Sequence, residues 1–305
     1  MIDRHSINEE IQAFLDKSAS LDEINREFFQ KTGIEDFFHS QNQIEEFKKK
    51  LYGLKRYGHK SKEFGDFQTP RALTDRICSL IKESGFEPEI IIEPTCGTGN
   101  FVISALKMFD SIKYVYAVEI QPEYEWAFKF NILDFSFRKN RTAEIEYHND
   151  NIFTHRISEK LKSLMEDSEL NTLIIGNPPW VTNSDLSGLG SDNLPTKYNL
   201  KKHRGIDAIT GKGNFDIAES TILDMMKKFS YSNAKIAMLC KTSVIRNIVK
   251  SMKFLAPEIS DVRAYTIDSK KEFNISASSA VLLANLGSMI GTVIAFPYLT
   301  SLLAG

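Results

Sequence analysis

From about residue 64 the chain alternates short, apolar, β-rich runs with stretches long enough to form a helix, and this alternation restricts the fold more than any other feature. The runs are Ile90–Ile92, Val115–Ile120, Glu144–His148, Leu173–Ile175, Lys235–Cys240, Arg263–Ile267 and Ser279–Ala284. A helix is expected from Asn100 and another over Phe215–Phe229. Strands separated by such crossovers predict an α/β, doubly wound parallel sheet of about seven strands. The last two lie too close together for a helical crossover, so they are expected to pair antiparallel. The first sixty or so residues carry apolar positions at helical spacing, among them Ile11, Phe14, Leu15, Phe28 and Phe29. The expected organisation is a helical extension over 1–63, a main domain over 64–286 and an apolar tail over 287–305.

Charge excludes little. The net charge of −2 means that any nucleic-acid contact must come from local basic segments. Two exist. Lys48–Lys62 holds seven Lys or Arg and no acid, and Lys197–Lys212 carries Lys197, Lys201, Lys202, Arg204 and Lys212 against Asp207 alone. The first alone reads as a solvated helix face and linker; with both present, at least one is expected to contact phosphates. Cys78, Cys96 and Cys240 fit no ligand spacing and no histidine cluster joins them, so no metal site and a reducing, cytoplasmic setting are expected. No secretory signal is expected from its opening residues. After Glu272 no charged residue occurs. Ser288–Gly305 is apolar enough to raise a membrane span, but Pro297 sits within it and no basic flank follows, so no membrane anchor is expected.

The chemistry is expected at the carboxyl tips of the strands. Glu93-Pro94-Thr95-Cys96-Gly97-Thr98-Gly99 follows the first strand, and Gly97 and Gly99 permit a tight turn with close backbone approach to a ligand. The third glycine of a dinucleotide fingerprint and the lysine of a P-loop are missing. Glu93 would repel a pyrophosphate and favour an ammonium or sulfonium. Glu119, at the second strand tip, is placed to accept from ribose hydroxyls, with a plain surface acid as the alternative. Asp150, at the third, is placed to accept from an adenine amino group while Ile152 or Phe153 packs on the ring; its alternative is a turn cap. Asn177-Pro178-Pro179-Trp180 follows the fourth strand. Two prolines make this loop stiff, holding an amide, backbone carbonyls and an aromatic face as a set. Such a set suits a planar base bearing an amino group.

Asn-Pro-Pro-aromatic is the signature of the N6-adenine DNA methyltransferases, and the chain resembles that family in its gamma-type motif order over about Phe64–Asn285. The resemblance implies a Rossmann-like methyltransferase sheet, S-adenosylmethionine as cofactor, double-stranded DNA as partner and a restriction-modification setting. Phe64–Pro70 is similar to the family's N-terminal cofactor motif, which assigns Phe67, Gln68 and Thr69 to the cofactor beside Glu93, Thr95, Gly97, Gly99, Glu119 and Asp150. Gly213-Asn214-Phe215-Asp216 resembles the motif opening the helix under the cofactor. Phe273 matches the aromatic that packs against the flipped base. Asn177, Pro178, Pro179, Trp180 and Phe273 are thereby the catalytic set. Lys197, Lys201, Lys202 and Arg204 are the expected DNA contacts.

The family's target-recognition region has no counterpart after Asn285. The composition of the tail points to a truncated or out-of-frame end, with a specificity or endonuclease subunit, or the N-terminal helices, as other sources of DNA reading. Methylation of RNA adenine or of protein glutamine remains open, since both present an amino group on planar carbon. A non-catalytic methyltransferase-fold subunit also remains open.

Overall fold

The computed structural model describes residues 11, 15–16, 20–53, 68–139, 143–167, 169–181, 216–252 and 259–287. Among these, one sheet contains β1 (Ile90–Glu93), β2 (Tyr114–Glu119), β3 (Glu144–Asn149), β4 (Thr172–Gly176), β5 (Ala234–Lys241), β6 (Ile259–Ile267) and β7 (Ser279–Leu286), in the order β3-β2-β1-β4-β5-β7-β6. The helices are α1 (Leu21–Thr32), α2 (Gln41–Gly53), α3 (Arg71–Glu83), α4 (Asn100–Met108), α5 (Tyr124–Lys139), α6 (Glu159–Glu166), α7 (Ile217–Lys228), α8 (Thr242–Met252) and α9 (Ser269–Phe273).

The centre of the sheet follows from its composition. Every residue of β1, β2 and β4 is buried, as expected of parallel strands covered on both faces. The chain steps outward from β1 through β2 to β3, then returns to β4 beside β1 and steps the other way to β5. Right-handed crossovers place the connecting helices of the two halves on opposite faces. The reversal leaves a crevice at the carboxyl ends of β1 and β4, where doubly wound sheets bind ligands.

The last two strands do pair antiparallel, but β7 alone runs against the sheet. It inserts between β5 and β6, so β6 is parallel to the others. The connection Asp268–Ser278 holds only the short α9 and cannot carry a crossover. Elsewhere the expected runs hold with shifted ends: β2 begins at Tyr114 and stops before Ile120, and α7 begins at Ile217 behind the cap of Asp216. The tail 288–305 lies outside the described residues. No helix among the described residues is long and apolar enough to cross a membrane.

The N-terminal helices join the core of the sheet. Ser20 and Glu23 form a capping box that starts α1, and Gly33 ends it in the left-handed conformation. Directly after this turn, Ile145 N–H donates to Gly33 O at 2.7 Å, and Ile34 bridges Ile145 on the open edge of β3. Phe28, Phe37, Phe38 and Phe47 then pack with Trp126 and Phe130 of α5. Phe37 and Phe47 are fully buried, and each such ring stabilises the docking by about 1.5–3 kcal/mol. The buried Lys129 ammonium donates to Phe37 O and Glu125, so the charge inside this cluster is matched.

Candidate active site

The turn after β1 is built around two glycines with positive φ, Gly97 at 51° and Gly99 at 78°. A Cβ at Gly97 would lie 2.6 Å from Gln68 Nε2, and one at Gly99 would lie 2.7 Å from the Phe128 ring. Both positions therefore need glycine on conformational and steric grounds. Gln68 Oε1 accepts from Thr98 N–H and Thr98 O–H, and Asn100 Nδ2 donates to Thr69 O. Gln68 and Thr69, assigned by resemblance alone, thus sit against the glycine turn. Phe67, with Phe64, Gly65 and Asp66, lies outside the described residues.

The two acids flanking this turn differ. Glu119, at the tip of β2, accepts from Gly97 N–H at 2.7 Å and Gln121 N–H at 2.9 Å, and so fixes the turn. Glu93 is buried at the tip of β1 and accepts from Val102 N–H at 3.3 Å. Burial pushes its carboxyl well above the usual carboxylate range; the Val102 hydrogen bond works against that shift and the nearby Glu119 adds to it. An acid whose folded-state pKa is raised stabilises the fold below its unfolded pKa and loses that contribution as pH climbs through the folded value. The stability of the wild type relative to Glu93→Gln should therefore fall as pH is raised above the ordinary carboxylate range. Urea unfolding of both proteins across that range checks this, and a difference independent of pH would refute it.

Asp150 stands at the tip of β3, half exposed. Its Oδ1 accepts from Asn151 N–H at 2.7 Å and its Oδ2 lies 2.8 Å from His155 Nδ1. Ile152 and Phe153 lie in the turn that follows, where Phe153 N–H donates to Asn151 Oδ1 and Lys228 Nζ to Ile152 O. Thr95 Oγ1 is buried with no hydrogen-bond partner among the described residues. An orphaned hydroxyl within a glycine turn is the kind of gap that a polar ligand fills.

The Asn177–Trp180 loop leaves β4 beside the glycine turn: a Cβ on Gly176 would lie 3.7 Å from Pro94 Cδ and 3.8 Å from Glu93 Cγ. Asn177 Nδ2 donates to Thr69 Oγ1 at 3.2 Å, tying this loop to the segment before α3. Pro178 is buried and Pro179 half-buried. Trp180 is buried and meets Phe273 edge to face, with ring centroids 5.5 Å apart at 67°. A base inserted between two aromatic faces needs about 7 Å from face to face, so this pair forms one L-shaped wall rather than a slot.

Sequence reasoning named Asp216, in the motif opening α7, but missed how Lys241 and Arg76 hold this wall. Lys241, the last residue of β5, donates to Trp180 O at 3.0 Å and to Asp216 Oδ2 at 2.9 Å. Asp216 also caps α7 through Ala218 N–H, and Ile217 N–H donates to Val181 O, so loop, helix and strand meet at one point. The signal was a lysine closing the strand after the apolar run Ile236–Cys240. On the other side, Glu272 beside Phe273 pairs with Arg76 of α3. Asp268 caps α9 through Lys270 N–H and Lys271 N–H. The basic residues Lys197, Lys201, Lys202 and Arg204 lie outside the described residues, as does Gly213–Phe215. Among the described residues no group of His, Cys, Asp or Glu is arranged to hold a metal ion.

The sheet order, the glycine turn at β1 and the acids at the tips of β2 and β3 define a class I S-adenosylmethionine-dependent methyltransferase fold. A structure from Listeria monocytogenes, provisionally assigned to that class, superposes with a TM-score of 0.51 at 10% identity, covering 96% of this chain and 92% of that one. The chain belongs to the N-6 DNA methylase family, whose model matches residues 51–247. It is 36% identical over 225 residues to the type II methyltransferase M.NspV of Nostoc sp., covering 72% of this chain and 44% of that protein. It is 27% identical over 173 residues to the type II methyltransferase M.CvrRI of Paramecium bursaria Chlorella virus XZ-6E, covering 56% of this chain and 38% of that protein. The chain thus spans less than half the length of these curated relatives.

Proposed function

We propose that the protein transfers the methyl group of S-adenosylmethionine to the N6 amino group of an adenine flipped out of DNA, as the modification activity of a restriction-modification system. The observation that carries this reading is the joining of two loops at the switch point, where Asn177 of the Asn-Pro-Pro-Trp loop bonds to Thr69 beside the glycine turn. A group held by one loop is thereby set against a group held by the other. The family membership and the type II methyltransferase names of the relatives support the choice of reaction and setting.

The residues present fit the cofactor: two glycines without side chains, the orphaned Thr95 hydroxyl and the outward carboxylate of Asp150. When bound, S-adenosylmethionine supplies a methyl group activated by positive sulfur. Glu119, Gln68 and Thr69 hold the turn in shape, and Asp150 would accept from the adenine amino group of the cofactor. An adenine N6 is a weak nucleophile because its lone pair conjugates with the ring. The Asn177 carboxamide oxygen and the Pro178 carbonyl accept its two hydrogens and favour a pyramidal nitrogen, which draws the lone pair out of conjugation with the ring and holds the hydrogen that leaves as a proton. The L-shaped wall of Trp180 and Phe273 offers one ring to the face of the base and the other to its edge; stacking is worth about 1–3 kcal/mol and offsets part of the cost of unstacking it. The rate then comes from alignment rather than from a strong base. Lys197, Lys201, Lys202 and Arg204 contact phosphates in this reading. The reaction takes place in the cytoplasm, with a specificity or endonuclease subunit as partner.

The test offers the purified protein radiolabelled S-adenosylmethionine with unmethylated genomic DNA, a structured RNA and a glutamine-containing protein in competition. Label recovered as N6-methyladenine from DNA is the expected result. Label in RNA or protein instead, or cofactor binding with no transfer to any of the three, would overturn it.

A further inference from the structure

We propose that His155 is a positioning residue for the cofactor, its imidazole aiming the Asp150 carboxylate at the adenine amino group. This rests on the reading of Asp150 given above. The sequence Asp150-Asn151-Ile152-Phe153-Thr154-His155 folds back on itself: Thr154 and His155 N–H both donate to Asn151 O, and Phe153 N–H donates to Asn151 Oδ1. The turn brings the His155 ring beneath the carboxylate, where its side chain is 7% exposed against 49% for Asp150.

Each ring nitrogen has one partner, and the directions can be assigned. His155 holds the Asp150 carboxyl below the usual range, with the Asn151 N–H adding to this, so the acid is ionised at neutral pH and only accepts. His155 Nδ1 therefore carries the proton. At the other nitrogen, Tyr116 OH lies 2.5 Å from Nε2, and Ser158 N–H donates to the same phenol oxygen at 3.3 Å. Burial pushes the Tyr116 phenol up to about 12, so it keeps its proton and donates to Nε2. The chain of donation runs from Ser158 N–H through Tyr116 and His155 to Asp150 without a gap. His148 packs at 4.8 Å from the His155 ring and pairs with Glu146 rather than entering this chain.

A half-exposed carboxylate is solvated well by water and needs no buried imidazole to be stable. The Asn151 N–H holds Oδ1 and the His155 N–H holds Oδ2, so the carboxylate cannot rotate about its own axis. A fixed direction matters where the group must meet a planar amino group in one orientation.

Two near-isosteric variants separate positioning from packing. His155→Asn carries an amide N–H close to where Nδ1 stood, and His155→Gln carries one near Nε2. Titration calorimetry with S-adenosylmethionine should find His155→Asn within about threefold of wild type and His155→Gln weaker by about tenfold, the size of one hydrogen bond to a charged group. S-inosylhomocysteine, whose purine lacks the amino group, should bind wild type and His155→Gln equally. Equal weakening by both variants, or none by either, would overturn the proposal. Should His155→Gln fail to fold, Tyr116→Phe must weaken cofactor binding by about threefold, and no change would count against the proposal just as firmly. Asp150→Ala separates the two layers of the reading. If it binds cofactor like wild type, the role of Asp150 falls; if it weakens binding while His155→Gln does not, only the role of His155 falls.

Discussion

Asn177→Ala is expected to fold and bind S-adenosylmethionine within about threefold of wild type, yet to transfer methyl groups about 10²- to 10³-fold more slowly, the usual consequence of deleting one aimed polar group from an active site. The geometry predicts this separation. Asn177 meets the cofactor side through one hydrogen bond among the described residues, to Thr69 Oγ1 at 3.2 Å, while its own loop is also held by Lys241 at Trp180 O. On the proposed function, removing the amide deletes an acceptor for the base and leaves the wall standing. Single-turnover transfer to DNA, measured beside cofactor titration, tests it. A loss below about tenfold in transfer would remove Asn177 from the reaction, and a parallel loss in cofactor affinity would make it a structural residue.

Gly33→Ala carries the largest expected effect on stability. A Cβ there would lie 1.7 Å from Ala143 O and 2.8 Å from Ala143 C, both backbone atoms that cannot swing aside, and φ is 74°. The backbone conformation alone costs an alanine about 1–2 kcal/mol. The overlap must be relieved by lifting the α1–Ile34 turn from β3, which breaks the Ile145 N–H to Gly33 O bond and loosens the aromatic cluster. A total loss of about 3 kcal/mol or more is expected, in the range of severe point mutations. Gly85→Ala is the control, with φ 77° but no atom within 4 Å of its added Cβ. It should cost only the conformational part, about 1–2 kcal/mol. Equal losses for the two variants would show that the contact with β3 contributes nothing.

What was legible in the sequence was what local pattern encodes. The central strands are apolar throughout because both faces are covered, and so they stand out, with the acids and glycines at their tips displayed against them. The amino end of β6 was not seen, because Ile259–Val262 is interrupted by a bulge with Asp261 at φ 48° and lacks any regular alternation. The path of β7 into the sheet was only half seen: proximity forced antiparallel pairing with β6 but said nothing of β5. Contacts between residues distant in sequence were the real limit. Lys241, Arg76 and His155 are single polar residues whose partners, Trp180, Glu272 and Tyr116, are set only once the sheet has formed. The close approach of the α1–Ile34 turn to β3 needs a glycine at Gly33, and no periodicity reports that.

The placement of β7 has a consequence for how the chain is made. Among the described residues the strands emerge from synthesis in the order β1 to β7, yet β7 occupies an interior position, with β5 on one side and β6 on the other. Until Leu286 has been added, β5 presents an unpaired row of backbone donors and acceptors, and β6 has no place in the sheet at all. Open edges of that kind recruit other chains. A nascent protein interrupted before Ser279 would hold a complete set of strand-tip acids and the Asn177 loop beside an unprotected edge, so arrest there should yield aggregates rather than a smaller working domain.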